Sequence, residues 1–195
     1  MGQVVTVVTS NPHKYREIRA ILAEHGIDSR WVPRELPEPQ ADTLRAVVRE
    51  KLASIHDIPG VALVEDSGLF IPALEGFPGV YSAYALRTIG LDGILRLLRG
   101  RSREACFRTL AAVRWGAREW VVSGEVDGRI AGRPRGRGGF GYDPVFIPAG
   151  ERRTFAEMSP SEKDAFSHRG RAIRAVARRI QRATRSTPGS ARGPR

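Results

Sequence analysis

The run Val61-Ala62-Leu63-Val64-Glu65-Asp66-Ser67-Gly68 constrains this chain more than any other stretch, because four apolar residues lead directly into two adjacent carboxylates. Such a run predicts a buried strand that ends at Glu65 and Asp66 and delivers them to a sheet edge, where open α/β sheets bind ligands. The chemistry is expected there.

The surrounding elements support an α/β reading. Val4 to Thr9 is a β-branched run without alternation, as in a strand covered on both faces. Asn11-Pro12 then opens a helix, with Asn11 as N-cap, Pro12 at the first helical position, and Tyr15, Ile18, Ile21 and Leu22 on one stripe before Gly26 stops it. Strand, turn and helix start together make an anion site, and Lys14 in the first turn opposes the helix dipole unless a phosphate lies beside it. A short strand is expected near Trp31, then a proline-rich loop carrying Glu38, which is either a solvated acid or a carboxylate aimed into a cleft. A helix from about Ala41 to His56 follows, burying Leu44, Val47, Val48 and Leu52.

After an aromatic, turn-rich passage (Phe77 to Ser82) comes a helix with Ile94, Leu95 and Leu98 inward. Ala105 to Trp115 and Glu119 to Val126 read as antiparallel strands, with Asp127-Gly128 as a turn into a third. In the glycine-rich loop that follows, Phe140 is placed to stack on a base and Asp143 to accept hydrogen bonds from its edge. Ser159-Pro160-Ser161-Glu162 is a capping box opening a helix with Lys163, and Ser167 caps another whose first turn holds His168 and Arg169. The fold class is therefore α/β, with a mixed sheet flanked by helices.

A length of 195 residues, 41% of them hydrophobic, suits one globular domain, set here at residues 1–183. No stretch of 18 apolar residues and no leader pattern occurs, which predicts a cytoplasmic protein without a membrane segment. The single cysteine, Cys106, excludes an internal disulfide and reads as a core thiol. The net charge of +11 raises nucleic-acid binding, but nine arginines and no acid lie between Ala165 and Arg195, leaving only +2 on the first 164 residues. That reading is thereby confined to a disordered basic tail at residues 184–195. The P-loop and dinucleotide glycine fingerprints are both absent.

Five segments in order, Thr9-Ser10-Asn11-Pro12-His13-Lys14, Glu65 to Leu69, Gly76 to Ser82, Gly138 to Pro144 and Ser167 to Gly170, resemble the motifs of the inosine triphosphate pyrophosphatase (Ham1-like) family. The resemblance covers about residues 3 to 182. It implies an elongated mixed α/β sheet in two lobes with a cleft between them, usually dimeric, that cleaves ITP, dITP and XTP to the monophosphate and pyrophosphate. It further implies that Thr9, Ser10, Asn11, Pro12, His13 and Lys14 hold the triphosphate and that Glu38 and Asp66 bind Mg²⁺, Asp66 also taking the proton of the attacking water. Ser67, Phe140, Gly141, Tyr142, Asp143, Lys163, His168 and Arg169 would contact the nucleotide. Many bacterial members carry two aspartates where Glu65-Asp66 stands here, and the Pro37 to Ala41 region is closer to archaeal members; Glu65 and Lys51 receive no role. Two rivals remain: a Maf-like pyrophosphatase for modified pyrimidine nucleotides, and a nucleic-acid-binding protein acting through the tail.

Overall fold

The structure, a computed structural model, describes residues 3–185. Strand β1 (Val4–Val8) leads through Ser10 into helix α1 (Pro12–Glu24), capped as expected by Asn11, whose Oδ1 accepts from the backbone N–H groups of His13 and Lys14 at 2.9 and 3.2 Å. Gly26, with φ of 67°, turns the chain into β2 (Asp28–Val32), parallel to β1. Helix α2 (Leu44–Ala53) starts later than the expected Ala41 because Thr43 is its cap, accepting from the Ala46 N–H. It buries the four expected apolar residues and, unexpectedly, Lys51.

The strand carrying the acids departs from expectation. β3 (Val61–Phe70) does not end at Asp66; it runs on through Ser67 and Gly68 as far as Phe70. The reason is its neighbour β5 (Glu104–Trp115), which pairs with all ten β3 residues, so the polar positions keep their ladder partners. On the other side β1 pairs only with Val61 to Leu63, and the short β4 (Pro78–Gly79) joins only at Leu69 and Phe70. Residues 64–68 thus face a gap inside the sheet, not its edge. Gly68 is needed at the close of this gap, since a Cβ there would strike the Gly79 carbonyl.

Asp127-Gly128 is likewise not a turn. Both residues lie within β6 (Arg118–Ile130), paired to Cys106 and Ala105, and Gly128 also faces Pro148 of β7 (Phe146–Pro148). The glycine serves close approach, because a Cβ would meet the Ile147 carbonyl. The sheet order is β2-β1-β3-β5-β6-β7, with β4 beside β3; β2, β1 and β3 are mutually parallel and the rest antiparallel. The expected mixed α/β class holds.

The remaining helices are α3 (Ser82–Thr88), α4 (Gly90–Leu97), α5 (Pro160–Phe166), with the expected Ser159–Glu162 capping box, and α6 (His168–Arg185). Helix α6 continues two residues into the expected tail; the rest of that tail lies outside the described residues. Strand alternation sorts the core into parts. Val61 and Leu63 pack with α1 and α6 on one face, and Ala62 and Val64 pack with Val48 and Leu52 of α2 on the other. A third cluster around Ile94, Phe107, Phe146 and Phe155 fills the far end. Gly124 lets α6 press onto β6, since a Cβ there would strike the His168 carbonyl.

Candidate active site

Where β1 has ended and β4 has not begun, a cavity of about 620 Å³ opens beside β3. Its wall includes Asn11 and Lys14 from α1, Glu38 from the proline-rich loop, Asp66 and Ser67 from β3, Phe140 to Asp143 from the glycine loop, Lys163 from α5, and His168 and Arg169 from α6. Twelve residues expected at a nucleotide site therefore share one cavity. Thr9, Ser10, Pro12 and His13 belong to the adjoining turn but not to the wall itself. Thr9 there serves the turn, its Oγ1 accepting from the Asn11 N–H at 3.2 Å and its carbonyl from Trp31 at 2.8 Å.

The pleat of β3 gives its two acids different surroundings. Glu65 and Ser67 point to the α1 and α6 side. Glu65 is ion-paired to Lys14 at 2.7 Å and to Arg169 at 3.5 Å, and it accepts from the Ser67 hydroxyl at 2.7 Å. Ser67 also lies 2.6 Å from Thr109 Oγ1 and accepts from Arg169 at 3.1 Å. Burial opposes the charge on Glu65, but Lys14 and Arg169 outweigh it and hold its pKa well below the carboxylate range. Lys14, read from sequence as a phosphate ligand, is thus also the counter-ion of a buried acid.

Asp66 points to the α2 side, where Lys51 donates to its Oδ1 at 2.5 Å and lies 3.7 Å from Glu38. Burial pushes the Asp66 pKa above its ordinary value against the pull of Lys14 and Lys51. Lys51 itself is held above its ordinary value: burial acts to lower it, and Asp66 prevails.

A second network lies toward the glycine loop. Lys163 donates to Asp143 at 2.5 Å and to Glu17 at 2.7 Å, and Arg169 pairs with Glu17 at 2.6 Å. Asp143 is engaged within its own loop, accepting from the Phe140 N–H at 2.7 Å. Tyr142 donates to the Ser82 carbonyl at 2.9 Å, so both side chains shape the loop. The Phe140 ring lies 4.7 Å from the Lys163 ammonium and 5.2 Å from the His13 ring. His168 is buried and stacks flat on Phe107, with centroids 4.5 Å apart and planes at 8°. Burial and Arg169 drive its pKa far down, leaving a neutral imidazole. Two buried atoms in this part of the wall, His168 Nδ1 and Arg169 Nε, have no hydrogen-bond partner in the protein.

Sequence reasoning missed Glu17, Phe107 and the burial of Lys51. Glu17 lies off the apolar stripe of α1, and only the approach of α5 and α6 encloses it. Lys51 did carry a signal. Of 32 basic residues only three are lysines: Lys14 and Lys163 line the cavity, and Lys51 pairs with Asp66 and Glu38 of its wall. A chain that uses arginine everywhere else keeps lysine where a compact, mobile charge is wanted.

The model of the Ham1 family matches residues 5–179. A dITP/XTP pyrophosphatase of Thermococcus kodakarensis is 48% identical over 172 residues, covering 87% of this chain and 93% of that protein. One from Pyrococcus horikoshii is 46% identical, covering 86% and 91%. Among solved structures, a HAM1 protein from Coxiella burnetii superposes with a TM-score of 0.79 at 27% identity, over 92% of this chain and 99% of that one. A nucleoside-triphosphatase / dITP/XTP pyrophosphatase from Mycobacterium abscessus gives 0.65 at 34% identity, over 89% and 97%. Matched along nearly its whole described length in both sequence and fold, this chain belongs to the Ham1 family.

Proposed function

We propose that this protein hydrolyses non-standard purine nucleoside triphosphates, dITP, ITP and XTP, to the monophosphate and pyrophosphate. The observation that carries the reading is that one cavity is lined both by Lys14, Glu38 and Asp66 and by Phe140, His168 and Arg169. Family membership and relatives that are dITP/XTP pyrophosphatases support it. They also favour it over a Maf-like pyrimidine enzyme.

In this reading Lys14 and the Asn11 amide neutralise and orient the triphosphate, and Asp66, its pKa raised by burial, takes the proton of the water attacking the α-phosphorus. Phe140 and Tyr142 bound the base through the loop that Gly141 and Asp143 shape, while Lys163 and Ser67 tie that loop and β3 to the ions around them. Arg169 or His168, both in the cavity wall, would donate to the 6-oxo group of the purine, opposite which the adenine amino group presents donor to donor. A site with buried donors of this kind discriminates by roughly 10⁴-fold or more. Thr9, Ser10, Pro12 and His13 form the turn that presents Asn11 and Lys14.

The site also fits a divalent metal of one kind. No cluster of three His, Cys, Asp or Glu suited to a metal occurs among the described residues, so an all-protein cage is absent. A cation, the Lys51 ammonium, does stand between Asp66 and Glu38, and two carboxylates with water and phosphate oxygens suit Mg²⁺. Glu38 and Asp66 would hold it, and it would neutralise charge on the transferring group.

A homodimer in the cytoplasm completes the proposal. Exposed Phe77, Tyr81, Tyr84, Ile89 and Leu97 supply apolar surface for self-association, and no described helix is long and apolar enough to cross a membrane. The test is a panel of inosine, xanthosine, guanosine, adenosine and uridine triphosphates with product identification, with and without Mg²⁺. Pyrophosphate and monophosphate from the inosine and xanthosine substrates are expected. Preferential turnover of uridine triphosphate, or release of phosphate and diphosphate, rejects the reading.

A further inference from the structure

The three lysines in and beside the cavity are each paired to a buried carboxylate, but not in equivalent ways. Lys14 is directed at Glu65, and Lys163 at Asp143 and Glu17. Lys51 alone lies between the two carboxylates to which a metal is assigned, 2.5 Å from Asp66 Oδ1 and 3.7 Å from Glu38 Oε1. Its side chain is 6% exposed, so the charge is enclosed with Asp66 and not solvated beside it. An ammonium and a divalent ion cannot share one carboxylate oxygen at such range, because their repulsion is barely screened at a buried position.

We propose that Lys51 is the resident counter-ion of the metal site: its ammonium holds Glu38 and Asp66 together when no metal is bound and must leave Asp66 for a divalent ion to enter. The proposal rests on the assignment of Glu38 and Asp66 as metal ligands. Its consequence is an order of events. Metal alone binds weakly, since it must expel a cation from a buried carboxylate with no new partner for that cation. A triphosphate supplies the partner, so metal and nucleotide enter together. The choice of residue fits this role. An arginine would grip Asp66 with a planar two-pronged contact, whereas a lysine is a point charge on a flexible four-carbon stem that can swing from one oxygen to another. Twenty-nine of the 32 basic residues are arginines, yet this position is lysine.

The test is Mn²⁺ binding to the full-length, nucleotide-free protein, read by electron paramagnetic resonance, for the wild type, Lys51→Met and Lys51→Met/Asp66→Asn. Methionine keeps the length of the stem and removes the charge. Affinity for Mn²⁺ should rise at least tenfold in Lys51→Met and fall back in the double variant. Equal affinity in wild type and Lys51→Met would overturn the counter-ion role while leaving the metal assignment standing. Binding to none of the three would remove the metal assignment, and the proposal with it. If Lys51→Met does not fold, the wild type decides. With lysine alone isotopically labelled, three side-chain signals report the three lysines, and saturating Mg²⁺ should move that of Lys51 more than that of Lys163. An unmoved Lys51 signal contradicts the proposal.

Discussion

The two faces of β3 at the cavity make opposite use of the same chemistry. On the α1 and α6 face Glu65 is closed in by Lys14, Arg169 and Ser67, and its charge is stabilised several times over. On the α2 face Asp66, one residue later, accepts a hydrogen bond from Lys51, its one side-chain donor among the described residues, and burial raises its pKa. An acid surrounded by fixed cations is framework, because no accessible pH changes it. An acid with one displaceable partner can exchange that partner for a metal or a proton. Adjacent positions on a strand differ this sharply because successive side chains project to opposite faces and meet different helices.

The sharpest way to break this comparison is to neutralise each acid in turn. Asp66→Asn should lower turnover by at least 10²-fold, measured as pyrophosphate release on protein shown to be folded. Near-normal turnover would make the α2 face framework too. Glu65→Gln should show the reverse emphasis, a stability loss of about 3 kcal/mol in denaturant unfolding, because Lys14 and Arg169 are left as buried charges short of their partner. A Glu65→Gln protein as stable as wild type would mean that the α1 and α6 face is not held together by this acid.

Asp164 sharpens the comparison from outside it. It is buried on α5 near the same cations, but its Oδ1 has no partner, and burial lifts its pKa to about 7. Between its ordinary value of 3.8 and about 7 the folded state keeps a proton that the unfolded chain has lost, so this group makes stability fall as pH rises through that window. Asp164→Asn should remove that slope, seen as a gain in the melting midpoint relative to wild type at pH 8 that vanishes near pH 4. Ser67→Ala is expected to have the smallest effect. It removes one donor to Glu65 and one acceptor for Arg169, and should cost about 1 kcal/mol by chemical denaturation, less than Glu65→Gln.

Much of this was legible before any tertiary information, but unevenly. The Asn11 cap, the Pro12 start and the Ser159–Glu162 box were readable because they are local hydrogen-bonding devices. The extent of β3 was not, since whether Ser67 and Gly68 continue a strand depends on β5 supplying partners from a distant part of the chain. For the same reason Asp127-Gly128, a turn by local preference, became the interior of β6. Lys163 and Arg169 were found as ligand candidates, yet their tie to Glu17 spans 146 and 152 residues and has no sequence signature.

The sequence by itself determined the element types, the apolar stripes, the capping residues and the set of charged and aromatic groups that the family motifs carry, because these depend on neighbours within one or two turns or on residue identity. Tertiary structure decided that β1 stops short, that a gap opens beside residues 64–68, and that Glu65 and Asp66 face different helices. Those outcomes depend on which strands and helices pack against β3 and at what register, and it is that packing that closes Glu65 in among Lys14 and Arg169 and sets Asp66 against Lys51.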